Sequence, residues 1–289
     1  MGRVSRHDRI AAGLIAWGSG SLRDLPWRRT NNAWHVLVSE VMLQQTSVAR
    51  VLPKYENFIE EFPTPGHLAR ASLGDALSLW SGLGYPRRCR NLREAAIVIE
   101  RDYAGDMPST LEELLALPGI GQYTARAVLA FAHRQDVAVV DVNVSRVLSR
   151  LQGGPLKARA LQDLADQLVP EGLGWEWNQV MMDFGARHCT IRHPQCAACP
   201  VSKQCKWHGV GEDPAPTSAG ASKPQAKFEG SDRQARGRAM RAVGNGITAQ
   251  KDITESMGLA EDAMRAQKLL HALVDEGLLL RAGKRFTLP

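Results

Sequence analysis

The 289-residue sequence has no apolar run approaching the length that crosses a bilayer, so a helical membrane span is excluded and no membrane partner is expected. It opens on no signal-peptide pattern, which predicts a cytoplasmic setting with reduced cysteines. Alternating apolar and polar runs are scarce until the last residues, while Leu, Ala, Glu, Arg and Gln dominate. A sheet-built core is thereby excluded and an all-α protein predicted. Cysteine is sparse at five residues, and two C-x2-C pairs separated by a long spacer, the zinc-ribbon pattern, are missing. Positive charge is not scarce. The net charge of +6 favours a polyanionic partner, though many basic proteins bind nothing acidic.

Four of the five cysteines, Cys189, Cys196, Cys199 and Cys205, follow the spacing C-x6-C-x2-C-x5-C. Thiolates so close in sequence converge on one soft metal centre, and without a ribbon spacer the pattern points to a [4Fe-4S] cluster. A set of disulfides is the alternative, and a reducing compartment disfavours it. Cys89 is remote and reads as a packed or surface thiol.

Periodicity predicts helices over Ser5–Trp17, Trp34–Leu52, Tyr55–Phe62, Leu68–Ala71, Leu73–Leu83 and Cys89–Tyr103. Pro63, Pro65, Gly82, Gly84 and Pro86 supply the punctuation. Thr110–Glu113 is a capping-box signature opening Leu111–Ala116, and Tyr123–His133 follows. Residues 210–231 carry three prolines and no aliphatic side chain larger than one valine, as a linker does. Beyond it come helical stretches at Asp232–Val243 and Thr248–Met257. A third helix has a face of Ala266, Leu269, Leu270, Leu273 and Val274, and a hairpin turns at Ala282-Gly283-Lys284. That is the order of a winged helix, a module that either binds DNA or mediates packing.

Three features carry chemistry. Leu117-Pro118-Gly119-Ile120-Gly121 lies between two helical stretches. A glycine-containing turn at a helix start offers backbone N–H groups and the helix dipole to a phosphate, although such turns also serve as plain connections. Glu40 has Val36, Leu37 and Leu43 as its i−4, i−3 and i+3 neighbours, so lost hydration should raise its pKa and make it a proton donor. A glutamate at a helix–solvent boundary would show the same spacing. Asp141 stands at a helix start, where the Asn143 and Val144 amides should hold it ionised, or where it is simply an N-cap. One neutral and one charged carboxyl is the division of labour in glycoside cleavage.

Together with the cysteines, Leu25–Arg28, Ser39–Thr46, Gly82–Tyr85, Leu117–Ala125, Asp141–Arg146 and Asn178–Gly185 resemble the adenine DNA glycosylase (MutY) family of the helix-hairpin-helix superfamily. The likeness runs in order over residues 22–209, and Ser39–Thr46 is its most specific part. It implies a helix-hairpin-helix glycosylase fold: an N-terminal helix (1–24) packing with the cluster domain, a six-helix barrel (25–137), the [4Fe-4S] cluster domain (138–209), a linker (210–231) and the winged-helix-like module (232–289). It also implies excision of adenine mispaired with 8-oxoguanine or guanine in double-stranded DNA. Glu40 would protonate the flipped base at N7, and Asp141 would stabilise the sugar cation or form a transient adduct, with Tyr123 and Asn143 lining the pocket. Trp27 and Arg28 would lie near the adenine. Gln45, Thr46, Leu83 and Tyr85 would probe the opposite base or wedge into the stack, while Pro118, Gly119 and Gly121 would meet the backbone. A monomer acting on the nucleoid is expected.

Pro86-Arg87 replaces a Tyr-Ala found in many members, and Val142 replaces a Gly or Thr. The short tail also stands where many members carry a larger domain that reads 8-oxoguanine, which makes preference for that base the least secure inheritance. A thymine or uracil glycosylase acting opposite guanine is the alternative with the same fold. It would lack the acid at position 40, since a pyrimidine has no N7. A bifunctional lyase would want an amine at position 123. A non-catalytic iron–sulfur regulator would have no use for Glu40, Tyr123, Asp141 and Asn143 together.

Overall fold

The computed structural model describes residues 5–222 and 225–289. Its helices are α1 (Arg6–Gly18), α2 (Ala33–Leu43), α3 (Val48–Glu61), α4 (Pro65–Arg70), α5 (Leu73–Trp80), α6 (Arg87–Tyr103), α7 (Leu111–Ala116), α8 (Gln122–Phe131), α9 (Val142–Gln152), α10 (Ala158–Leu168), α11 (Gly174–Arg187), α12 (Asp232–Gly244), α13 (Gln250–Ser256) and α14 (Ala263–Asp275). Strands β1 (Leu280–Ala282) and β2 (Arg285–Thr287) close the chain as an antiparallel hairpin, with Arg281 opposite Phe286. Among the described residues no helix is long and apolar enough to span a membrane.

One expected helix boundary is wrong. The sequence pattern runs a helix from Trp34 to Leu52 and starts another at Tyr55, whereas the chain breaks at 44–47 and α3 continues through Pro53. The cause is remote in sequence. The Arg88 guanidinium donates to the carbonyls of Val41 (2.7 Å), Met42 (2.9 Å) and Gln44 (2.7 Å). Carbonyls at the end of α2 are thus satisfied by a side chain, and Gln45 turns into the left-handed region at φ 55°.

Two compact units are present. The first comprises residues 5–36, 109–111 and 121–222 of the described chain. Its core joins Ile10 and Leu14 of α1 to Val144, Val147 and Leu148 of α9, Leu161 of α10, and Trp177, Val180 and Phe184 of α11. Ser5 and Asp8 cap α1 reciprocally. A Cβ on Gly18 would lie 2.1 Å from Val180 Cγ2, so α1 approaches α11 at a distance only glycine permits. Part of the stretch expected as a linker is packed: Asp213 accepts from Arg150 Nη2 at 2.6 Å, and the Ala219 amide donates to the Leu156 carbonyl at 2.8 Å. Arg150 is 1 % exposed and needs that counter-ion.

The second unit comprises residues 37–108, 112–120 and 225–289. Phe58 meets Phe62 and Trp80 edge-on in its core. The three tail helices bury Ala239, Ile253, Leu270 and Leu273 with Phe286 of the hairpin. Glu276 fastens this module to α6, accepting from Arg87 Nε at 2.7 Å through its carboxylate and from Arg90 through its carbonyl. Arg236 Nη2 donates to the same carboxylate at 2.5 Å. The Gly74 amide donates to the Pro289 carbonyl at 2.6 Å. Two groupings cut across the expected boundaries. Residues 121–137 pack with α9–α11, and the tail packs with the 37–108 helices.

Asp183 of α11 has no exposure and accepts from Arg23 Nη2 (2.6 Å) and Arg28 Nη2 (2.9 Å). Burial alone would raise its pKa, but the bonds from Arg28 and Arg23 win and hold it at about 2. The unfolded value is higher, about 3.9, so the stabilisation is complete at neutral pH and is lost as pH falls from about 4 towards 2. Asp183→Asn is expected to cost about 3 kcal/mol or more at pH 7 and less at pH 2.5, because it leaves the guanidiniums uncompensated. Urea unfolding at the two pH values checks this.

Candidate active site

Glu40 is carried on α2 and is 5 % exposed, with Val36 and Leu37 one turn earlier almost wholly buried. The apolar setting inferred from helical spacing is therefore present. Just beyond, Arg88 builds a second feature. Besides the three carbonyls of α2 and its end, the guanidinium donates to Thr46 Oγ1 (3.1 Å) and to the carbonyls of Leu83 (3.2 Å) and Gly84 (3.0 Å). It also lies 5.4 Å from the ring centres of Trp80 and Tyr85. Burial pushes its pKa down to about 10, which leaves it a cation at neutral pH. One side chain thus joins the turn at Gln44–Thr46 to the turn at Leu83–Tyr85. Leu83 itself is buried, Gln45 is exposed, and Tyr85 is half-buried with φ 49°.

In the Pro118–Gly121 turn, Gly119 has φ 77° and a Cβ there would lie 2.7 Å from Asn91 Cβ. Neither the conformation nor the space admits a side chain. Gly121 is extended and opens α8 without a side-chain cap, the arrangement that offers first-turn amides to an anion. Tyr123 is half-buried in that first turn.

Asp141 caps α9 as inferred. Oδ1 accepts from the amides of Asn143 (2.8 Å) and Val144 (2.7 Å), and Oδ2 accepts from Asn143 Nδ2 (2.8 Å). Its expected electrostatics need correction. Burial pushes the pKa of Asp141 up, against the lowering effect of those bonds and of Arg146. The carboxylate is held in place and only half-buried at its surface, so a positive charge arriving beside it gains more than it would in open solvent. The network continues inward. Arg146 Nη2 donates to Asn143 Oδ1 (2.9 Å) and to the Gly185 carbonyl (2.6 Å), and its Nε donates to the Cys189 carbonyl (2.9 Å).

Cys189, Cys196, Cys199 and Cys205 are unbridged and half-buried. Their thiols interact: Cys199 is affected by the charges of the other three. Burial pushes Cys199 up to about 11, so thiolates gathered here call for a bound positive centre. Arg150 Nη1 donates to Cys189 Sγ (3.3 Å), a bond that works against the burial pushing that thiol up, and the His208 amide donates to Cys205 Sγ (3.2 Å). Among the described residues no group of three or more His, Cys, Asp or Glu is placed to hold a metal ion. Four thiols are nonetheless the donor type that iron–sulfur groups take.

Trp27 is buried, and Arg28 is engaged with Asp183. Sequence reasoning missed Arg88, Arg146, Arg150 and Asp183. A signal existed for two of them. Arg146 and Arg150 stand one turn apart beside the apolar face of α9, where buried cations must find acceptors.

Residues 38–170 match the family of HhH-GPD superfamily base excision DNA repair proteins. The adenine DNA glycosylase of Mycolicibacterium smegmatis is 40 % identical over 284 residues, covering 95 % of this chain and 94 % of that protein. The human adenine DNA glycosylase is 42 % identical over 208 residues, covering 67 % of this chain and 38 % of the longer human protein. A thermostable thymine-DNA glycosylase structure superposes with a TM-score of 0.68 at 31 % identity, covering 70 % of this chain and 96 % of that one.

Proposed function

The chain belongs to the adenine DNA glycosylase family, a base-excision-repair hydrolase of N-glycosyl bonds, and from that membership we propose that it removes adenine mispaired with 8-oxoguanine or guanine. The burial of Glu40 carries this reading. A base inside the duplex is out of reach of any side chain, so the adenine must be flipped. Glu40, poor in water, donates a proton to N7 and makes the base a better leaving group. Asp141, fixed by two amides and Asn143, faces the oxocarbenium-like sugar as it forms, and water completes hydrolysis. Tyr123 lines the pocket and offers no amine for a Schiff base, so the enzyme leaves an abasic site uncut. Trp27 and Arg28 border the adenine, and Gln45, Thr46, Leu83 and Tyr85 meet the opposite base or the opened stack. Pro118, Gly119 and Gly121 shape the turn that binds the DNA backbone. Its partner is DNA, and it works as a monomer on the nucleoid, in the cytoplasm.

A thymine-directed activity is not favoured by the structural likeness to the thymine glycosylase, because Glu40 would have no N7 to protonate. Cys189, Cys196, Cys199 and Cys205 would hold a [4Fe-4S] cluster that ties the segment after α11 into shape. The decoration of that segment by Arg192, Lys203 and Lys206 supports its use against DNA.

Glu40→Gln preserves size but cannot donate a proton. Single-turnover assays on A opposite 8-oxoguanine and A opposite G should show excision reduced at least about a hundredfold, with mismatch affinity retained. Retention of most of the rate would refute the proton-donor role. Cys199→Ser should lose bound iron, measured directly, together with thermal stability and DNA affinity. An iron-free variant of native stability and full affinity would contradict the structural role.

A further inference from the structure

Five non-glycine residues among those described adopt positive φ, and two of them, Gln45 and Tyr85, are met by Gln225 of the linker and Arg233 of the C-terminal module respectively. Such conformations persist only where the surroundings fix them. Arg88 holds both turns from beneath. A second guanidinium reaches one turn directly and the other through a glutamine. Arg233 Nη1, on α12, donates to Tyr85 Oη at 3.0 Å and to Gln225 Oε1 at 2.8 Å. Gln225 Nε2 in turn donates to Gln45 Oε1 at 3.1 Å. Arg233 also lies over the Phe228 ring at 5.2 Å and the Tyr85 ring at 6.0 Å. The Tyr85 ring thus has a guanidinium contact from Arg88 and another from Arg233, and its hydroxyl is fixed by the tail.

We propose that Arg233 is a positioning residue for the two DNA-probing turns, holding Tyr85 directly and Gln45 through Gln225 before DNA arrives. The tail then acts on excision through these turns, and not only through a DNA-binding surface of its own. Pre-set turns spare the complex the cost of ordering them when the base is flipped. The functional half of this inference rests on the glycosylase reading above, while the positional half does not.

Arg233→Met keeps the aliphatic stem and removes the bonds to Tyr85 and Gln225, whereas Glu276→Gln weakens module docking and leaves Arg233 intact. Hydrogen–deuterium exchange on the full chain reads the turns, where the amides of Thr46, Leu83 and Arg88 are bonded to the carbonyls of Leu43, Trp80 and Tyr85. Arg233→Met should speed exchange in residues 44–46 and 82–88 and slow single-turnover adenine excision roughly tenfold, as loss of a charge-assisted bond would. Melting temperature should stay close to wild type, and Arg233→Lys should recover part of both readouts. Unchanged exchange in the two turns would overturn the proposal. So would altered exchange with wild-type excision, or an equal effect of Glu276→Gln, which would reduce Arg233 to a docking contact. Wild-type protein that excises no adenine, with the exchange difference present, would instead refute the glycosylase reading and leave the positioning intact.

Discussion

Buried guanidiniums that bond to backbone carbonyls are the constraint on which this structure turns. Arg88, Arg146 and Arg150 each draw together segments far apart in sequence, and each is used where a helix end meets a loop that the function needs. Arg146 ties the Asp141–Asn143 cap to the carbonyls of Gly185 and Cys189. Arg150 binds the carbonyls of Thr190 (2.7 Å) and Ile191 (3.2 Å) and is balanced by Asp213. A planar guanidinium with five donors serves several carbonyls at once, which an ammonium cannot reproduce. The segment carrying the cysteines is therefore mechanically continuous with the carboxylate at the start of α9. A group bound by those cysteines would influence that carboxylate by holding its supports still.

The two carboxyls of the proposed mechanism are prepared by different means. Glu40 is buried on α2, one turn from the buried Val36 and Leu37. Asp141 is half-buried and held by two amides and an asparagine, so its anion is well placed and only partly solvated. Such an anion is effective beside a developing cation, because protein dipoles are already aligned on it. The rise in the pKa of Asp141 belongs to this arrangement, although an N-cap by itself would lower it.

Much of this was legible from residues alone. The cap at Asp141, the buried setting of Glu40 and the core face of α14 all follow from spacing within one helix, and spacing is what a sequence states directly. The end of α2 was not legible, because Arg88, over forty positions away, decides it. Nor was the packing of residues 213–219, since nothing in a proline-rich stretch announces that Asp213 must neutralise Arg150. The tail was readable as a module, but its place against Tyr85 and Gln45 depends on Arg233 and Glu276 contacts that no local pattern encodes.

The central claim is that excision requires a proton at N7 of adenine, delivered by Glu40. Replacing the target base by 7-deazaadenine, which has a carbon at that position, removes the acceptor while leaving the base's pairing edge unchanged. Single-turnover measurement on such a duplex, opposite 8-oxoguanine and at saturating enzyme, should find tight binding and no base release. Release of 7-deazaadenine at a rate comparable to adenine would contradict the account.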